Sequence, residues 1–296
     1  MPERDGYISG VPCWVDTNQP DADAAAEFYS SLFGWELENV LPPDSEGRYF
    51  IARVRGGDAA AITGIPAGAP QQAAWNTYIW VDSVDDTATS VLEAGGSVLV
   101  EPFDVGPAGR SAAFADREGA AFRVWQPYEH RGAAVVNEPG AVVFNGLHAR
   151  DRQAARAFYG AVFGWETIEL GSGQAWRLPG YGDFLERTTD PDLRKRMAAG
   201  GAPTFFEDVV AALNPIAGVE AGVSAHWSVT FAVEDADATA ELASALGGRV
   251  IVPPVDVPWS RMAVIADPQG ARFTASKFVP ENRDVGAPAD TVVSAA

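Results

Sequence analysis

Few side chains in this sequence carry ready-made chemistry, so each can be weighed individually. There are three histidines and one cysteine. His148 is the candidate for catalysis: with Glu207 or Asp208 it would make an acid/base pair or an improvised metal site, and without them it is a partly exposed histidine at a strand end. His226 precedes a strand and His130 sits near a linker. Cys13 neighbours Trp14 with opposite strand parity, which favours a buried, inert thiol over a nucleophile. Alternate residues of a strand share a face. Three polar and aromatic rows follow: Trp14, Asp16 and Asn18; Asn76, Tyr78 and Trp80; Ser228, Thr230 and Ala232. Together with Arg123 the first two rows have the composition of a small-molecule site, with aromatic walls and a few oriented polar groups. Asp16 near Arg123 reads equally as a buried ion pair. No Ser-His-Asp spacing, nucleotide-binding glycine loop or Cys-x-x-Cys occurs.

The elements that must position these residues are written twice. Phe28-Tyr29 and Phe33-Gly34-Trp35 recur as Phe158-Tyr159 and Phe163-Gly164-Trp165, at an offset of 130. Gly95-Gly96 and Asp104-Val105 recur as Gly247-Gly248 and Asp256-Val257 at 152, and Arg110, Asp116 and Gly119 as Arg261, Asp267 and Gly270 at 151. The jump in offset marks an insertion in the second copy. Within a copy, Val11–Thr17 reads as a strand. Asp21 opens a helix whose apolar stripe is Ala24, Ala25, Phe28, Leu32 and Phe33, and Gly34 closes it. Strands follow near Arg48–Val54 and Ala59–Ile65. The pattern restarts with a strand at Trp75–Val81, a helix at Val84–Ala94, and strands near Val98–Glu101, Ala112–Ala115 and Ala121–Trp125.

This predicts an α+β fold of four βαβββ modules forming two curved sheets with helices outside. The first domain spans 8–130, a linker 131–140 and the second domain 141–280, with a flexible tail over 281–296. A helical insertion is expected at about 183–215: a charged helix after Asp190-Pro191, broken by Gly200-Gly201, and a second amphipathic piece over Phe205–Leu213. It reads as surface decoration, dimer contact or lid.

Composition narrows the function classes. The chain has 296 residues and a formal charge of −19, which disfavours nucleic acid as a partner. It suits a cationic small ligand, or solubility alone. No apolar run approaches a membrane span, the polar N-terminus lacks a secretory core, and a single cysteine excludes an internal disulfide. The expectation is a cytoplasmic protein with a small-molecule partner, no nucleic acid and no membrane. A homodimer is compatible with it. Only Lys195 and Lys277 are lysines, a bias that fits a GC-rich bacterial source.

The run Asp-x-x-x-Ala-x-x-Phe-Tyr-x-x-x-Phe-Gly-Trp, at Asp21–Trp35 and Asp151–Trp165, resembles the glyoxalase/bleomycin-resistance/dioxygenase superfamily, also called the vicinal-oxygen-chelate superfamily. The Gly-Gly and Asp-Pro-x-Gly landmarks (Asp267-Pro268-Gln269-Gly270, with Asp116-Arg117-Glu118-Gly119 in the first copy) extend the resemblance over about 10–280. It is most similar to the two-domain actinobacterial members described as glyoxalase-like or hydroxylase-type. The resemblance implies tandem glyoxalase-like domains, and for most members a divalent metal held by His, Gln or Glu on the concave sheet face as a Lewis acid. Here the matching positions are Trp14, Phe144, Asn76, Ser228, Arg123 and Thr274, and the strand positions near 61–63 and 211–213 add no carboxylate or imidazole. Those residue types do not hold zinc, iron or manganese. The expectation is therefore no metal and no other cofactor, with Trp14, Asp16, Asn76, Tyr78, Arg123, His148, Ser228, Thr230 and Thr274 binding a ligand. Whether the chain is an enzyme is left open. One alternative is a binding module that sequesters or senses an aromatic or cationic metabolite. A second is a lyase, isomerase or hydroxylase-type enzyme using an improvised metal site or metal-free acid/base residues, and a third is an interaction protein whose fold survives without a pocket.

Overall fold

The computed structural model describes residues 3–42, 44–170, 173–216 and 223–286. The first copy forms β1 (Pro12–Gln19), α1 (Ala22–Phe33), β2 (Glu36–Asn39), β3 (Tyr49–Val54), β4 (Gly57–Gly64), β5 (Ala74–Trp80), α2 (Val84–Glu93), β6 (Ser97–Val105), β7 (Gly109–Ala115) and β8 (Ala121–Pro127). The second forms β9 (Val142–Ala149), α3 (Arg152–Phe163), β10 (Glu166–Leu170), β11 (Gly173–Arg177), α4 (Tyr181–Thr188), α5 (Leu193–Ala199), β12 (Val209–Pro215), β13 (His226–Ala232), α6 (Ala236–Ala245), β14 (Arg249–Val257), β15 (Ser260–Ala266) and β16 (Arg272–Phe278). The sheets have eight strands each, in the orders β2-β3-β4-β1-β5-β8-β7-β6 and β10-β11-β12-β9-β13-β16-β15-β14. This is the expected α+β architecture, with the same strand order in both copies. No described helix is long and apolar enough to cross a membrane.

Local chemistry fixes the helix ends. Asp21 and Asp151 accept hydrogen bonds from the first free backbone N–H groups of α1 and α3, and Gly34 and Gly164 end them in the left-handed region at φ 69° and 70°. That conformation costs glycine little, because it lacks a Cβ.

Packing divides the chain into two compact units. One comprises 1–13, 77–132 and 144–227, the other 14–76, 133–143 and 228–296. Each unit therefore takes one module from each copy, and the repeated landmarks meet inside it. In one unit Tyr29 Oη donates to Asp267 Oδ2 at 2.9 Å and accepts from Trp75 Nε1 at 3.1 Å. In the other, Tyr159 Oη donates to Asp116 Oδ2 at 3.2 Å and accepts from Trp227 Nε1 at 2.9 Å. The remaining oxygen of each aspartate accepts two backbone N–H groups of its own turn, from Glu118 and Ala120 or from Gln269 and Ala271. Glu118 accepts from the backbone N–H groups of Arg150 and Asp151, and Gln269 accepts from that of Asp21. So each turn also supports the start of the other copy's helix.

The remaining landmarks follow the same exchange. A Cβ on Gly96 would lie 2.8 Å from the Phe158 ring, and one on Gly248 3.3 Å from the Phe28 ring. The second glycine of Gly-Gly thus admits the phenylalanine of Phe-Tyr. Trp35 Nε1 donates to the Gly140 carbonyl and Trp165 Nε1 to the Gly10 carbonyl, each at 2.7 Å. Arg110 bridges Asp85 and Asp104, as Arg261 bridges Asp237 and Asp256, joining a hairpin to the first turn of its helix.

The extra residues of the second copy lie between Arg177 and Val209, which are register partners. In the first copy the same two strands are joined by Arg55-Gly56 alone. Helices α4 and α5 occupy this insertion, and Arg194 pairs with Asp183, Glu186 and Glu207 to tie it together. The expected amphipathic helical piece over Phe205–Leu213 is corrected: only Phe206–Asp208 makes a 3-10 turn, and Val209–Pro215 is a strand. Ala211 and Leu213 are buried at period two, and the segment pairs in parallel with β9. Tertiary pairing overrides the helical reading of a short apolar run. The tail begins with a 3-10 turn at Pro280–Asp284, and 287–296 lie outside the described residues.

Tyr159→Phe is expected to lower the unfolding free energy by about 1–3 kcal/mol, because it strips Asp116 Oδ2 and Trp227 Nε1 of their buried partner. Tyr29→Phe should cost less, since Asp267 Oδ2 keeps Gln19 Nε2 at 2.6 Å. Urea denaturation of the two variants gives the order, and equal losses would contradict it.

Candidate functional site

Strand alternation assigns the faces. Val15 on β1, Val229 and Phe231 on β13, and Phe273 and Ala275 on β16 belong to one core. Ile79 on β5, Phe122 and Val124 on β8, Leu147 on β9, Leu213 on β12 and Trp227 on β13 belong to the other. Their strand neighbours Trp14, Asp16, Asn76, Tyr78, Arg123, His148, Asn214, His226, Ser228, Thr230 and Thr274 therefore point away from the helices.

In the unit holding β3 and β4, Trp14 Nε1 donates to Tyr49 Oη at 3.2 Å, and Asn76 Nδ2 donates to Asp16 Oδ1 at 2.7 Å. Asp16 is only 2% exposed. A buried carboxylate requires such a donor, because leaving it unpaired costs several kcal/mol. Thr230 and Thr274 of the same unit are register partners on neighbouring parallel strands, and Ser228 is buried one step away.

In the other unit Tyr78 and Arg123 are register partners, with the guanidinium carbon 5.6 Å from the Tyr78 ring centre. Trp125 meets Tyr78 edge-on, with centroids 6.5 Å apart, and donates through Nε1 to the His130 carbonyl. Asp16 and Arg123 fall in different compact units. His148 is fully buried; its Nε2 lies 3.3 Å from Asn214 Nδ2, and its ring stacks on His226 at 4.5 Å and 5°. Glu207 pairs with Arg194, while Asp208 accepts from the Gly182 N–H and faces Arg177. The structure thus groups His148 with Asn214 and His226, and engages both carboxylates with the insertion.

Sequence reasoning missed Tyr49 and Asn214. Asn214 was masked by the helical reading of its segment. For Tyr49 the only signal was an aromatic at the start of a strand.

The donors available for a divalent metal can be tested against this geometry. Among the described residues, no three His, Cys, Asp or Glu side chains cluster closely enough to hold an ion. The two stacked imidazoles have nearly parallel ring planes, so their in-plane lone pairs run side by side and do not converge on one ion. The matched strand positions carry Trp14, Phe144, Asn76, Ser228, Arg123 and Thr274, none of which is a His, Cys, Asp or Glu.

Burial, with a smaller contribution from His226, pulls the His148 pKa down to about 3. The folded protein keeps this ring neutral where the unfolded chain takes up a proton near 6.5. The stability it confers is complete above that value and is lost as pH falls toward about 3, by up to about 1.4 kcal/mol per pH unit. His148→Asn is expected to flatten the fall in urea midpoint between roughly pH 6.5 and pH 5. An unchanged slope would assign the acid sensitivity to other groups.

Comparison with known proteins agrees with this architecture. The family model for the Glyoxalase/Bleomycin resistance protein/Dioxygenase superfamily matches residues 14–124 and 140–274. "Putative glyoxylase CFP32" of Mycobacterium tuberculosis is 40% identical over 286 residues, covering 95% of this chain and 100% of that protein. The "Anthracycline biosynthesis protein DnrV" of Streptomyces peucetius is 35% identical over 281 residues, covering 90% and 93%. Among solved structures, the Mn(II)-bound glyoxalase from Novosphingobium aromaticivorans aligns with a TM-score of 0.58 at 17% identity, covering 97% of this chain and 90% of that one. The 2,3-dioxygenase LapB from Pseudomonas sp. KL28 aligns at 0.56 and 14% identity, covering 91% and 93%. At such identities these structures speak for the fold alone. By family model and by sequence identity, the chain belongs to the glyoxalase/bleomycin-resistance/dioxygenase superfamily.

Proposed function

We propose that this chain is a small-molecule-binding member of its superfamily that sequesters or senses a planar aromatic or cationic ligand without the family's divalent metal. The observation that carries the reading is the pair of contacts on β1: Trp14 stands at a metal-strand position and donates to Tyr49, and Asp16 takes the Asn76 amide. Oriented hydrogen bonds and aromatic walls replace ion ligands there. Tyr78, Trp125 and Arg123 give the other unit a similar character. The relatives named as anthracycline biosynthesis proteins support a polycyclic aromatic ligand. The two copies differ at the aligned positions (Asn76 against Ser228, Arg123 against Thr274), so the two faces are expected to bind one ligand unequally.

An enzymatic reading is favoured by the relative named as a glyoxylase at 40% identity. It would use metal-free acid/base residues or a metal site built around His148. Elemental analysis of purified protein tests the metal-dependent form of that reading, and absence of metal confines it to metal-free chemistry. The binding reading expects divalent metal far below one ion per chain. Stoichiometric metal that is lost in His148→Ala would establish the enzymatic one.

Titration with a planar anthraquinone is expected to quench tryptophan fluorescence without turnover. Trp14→Phe should weaken binding about two- to tenfold, the worth of one aromatic contact. No quenching by any polycyclic aromatic or organic cation in a broad panel would refute the proposal.

A further inference from the structure

The second copy carries a pair of imidazoles that has no counterpart in the first. Asn214 on β12, His148 on β9 and His226 on β13 occupy three neighbouring strands, all within one compact unit. Asn214 and His148 are register partners, as Asn18 and Thr63 are in the first copy. The repeat offsets therefore put Asn18, Thr63 and Ala74 where the second copy has His148, Asn214 and His226.

The hydrogen bonds fix where the protons sit. His226 Nδ1 is 2.8 Å from the Ser224 carbonyl oxygen. A carbonyl only accepts, so Nδ1 carries a proton, and the tautomer this selects has its lone pair on Nε2. The Asn214 amide donates toward His148 Nε2. His148 is sealed behind His226 and held neutral, whereas His226 is half-buried. The outer imidazole is thus clamped by a carbonyl on one nitrogen and by a parallel ring on one face, which leaves Nε2 as its acceptor. The parallel ring planes disfavour a shared metal ion and leave a ligand hydrogen bond as the use for that lone pair.

We infer that His226 Nε2 is the recognition acceptor of the second copy's helix-free face, and that it selects planar ligands bearing an acidic hydroxyl (a phenol or enol) over the carboxylate of the same ring system. The inference rests on the reading that these faces bind planar aromatic molecules. A phenol donates one hydrogen bond and meets the lone pair directly. A carboxylate has only acceptor oxygens; it would face a lone pair, and the ring behind it is uncharged.

The test uses the full chain at about pH 8, where a phenol-type hydroxyl near pKa 10 keeps its proton, with 1-naphthol and 1-naphthoate as probes. Calorimetry is expected to show naphthol binding about tenfold more tightly, the scale of one buried hydrogen bond. Naphthol should also move the His226 Nε2 resonance in long-range nitrogen–proton spectra. His226→Phe, which keeps the stack but removes the acceptor, should abolish the preference. The wild-type resonance provides a readout that does not depend on the variant folding. Equal binding of both probes overturns the selectivity while leaving the aromatic-binding reading intact. A preference that survives His226→Phe, or an unmoved resonance, overturns the assignment to His226. Failure of both probes to bind overturns the inference together with the reading beneath it.

Discussion

The hydrogen bond from a helix tyrosine to a buried aspartate of the other copy is the constraint around which this fold is arranged. The carboxylate divides its two oxygens between its own turn and a hydroxyl 238 residues away for Asp267, or 43 residues away for Asp116. That one bond sets how far each helix advances over the sheet beneath it. The neighbouring phenylalanine then meets a glycine that has no Cβ to obstruct it. The tryptophan after the helix reaches a carbonyl at the start of the opposite copy. The hydroxyl is buried and accepts an indole N–H as well as donating, so no participant can be removed without orphaning another.

This arrangement concentrates constraint on one face of each sheet. Facing the helices, the copies keep the landmark side chains: Phe28-Tyr29 recurs as Phe158-Tyr159, Trp75 as Trp227, Asp116 as Asp267 and Phe122 as Phe273. On the opposite face they share almost none: Trp14 corresponds to Phe144, Asp16 to Gly146, Asn18 to His148, Asn76 to Ser228 and Arg123 to Thr274. A duplication leaves stability tied to reciprocal contacts while the other surface changes residue by residue. The two polar clusters are products of that freedom. One is a carboxylate–amide pair beside an indole–phenol bond, the other a pair of stacked imidazoles.

Much of this was legible in the sequence. The helix limits followed from Asp21, Gly34 and their repeats, because caps act through local chemistry. The inward and outward faces followed from strand period. The partners did not. Spacing shows that Tyr29 and Asp116 recur, but it cannot show that Tyr29 answers to Asp267, because that choice is made by packing. The short edge strand β2 was invisible, since half-exposed residues carry no alternation. Val209–Pro215 was misread because a short apolar run fits either period, and Asn214 was lost with it. His226 was noted as preceding a strand, yet its stacking on His148 depends on two strands adjacent in space and distant in sequence.

The insertion leaves and re-enters the sheet at Arg177 and Val209, which face each other across an antiparallel pair. Facing residues of such a pair lie only about 5 Å apart, so the segment is a closed loop tied at its neck by the ladder. Lengthening such a loop costs little chain entropy, about 0.6 kcal/mol per doubling. Its internal order comes from its own helices and from the Arg194 ion pairs. Residues can be gained or lost there without displacing Asn214 from its place opposite His148. Length variation among relatives should therefore accumulate at this neck, while the strand it returns to stays fixed in register.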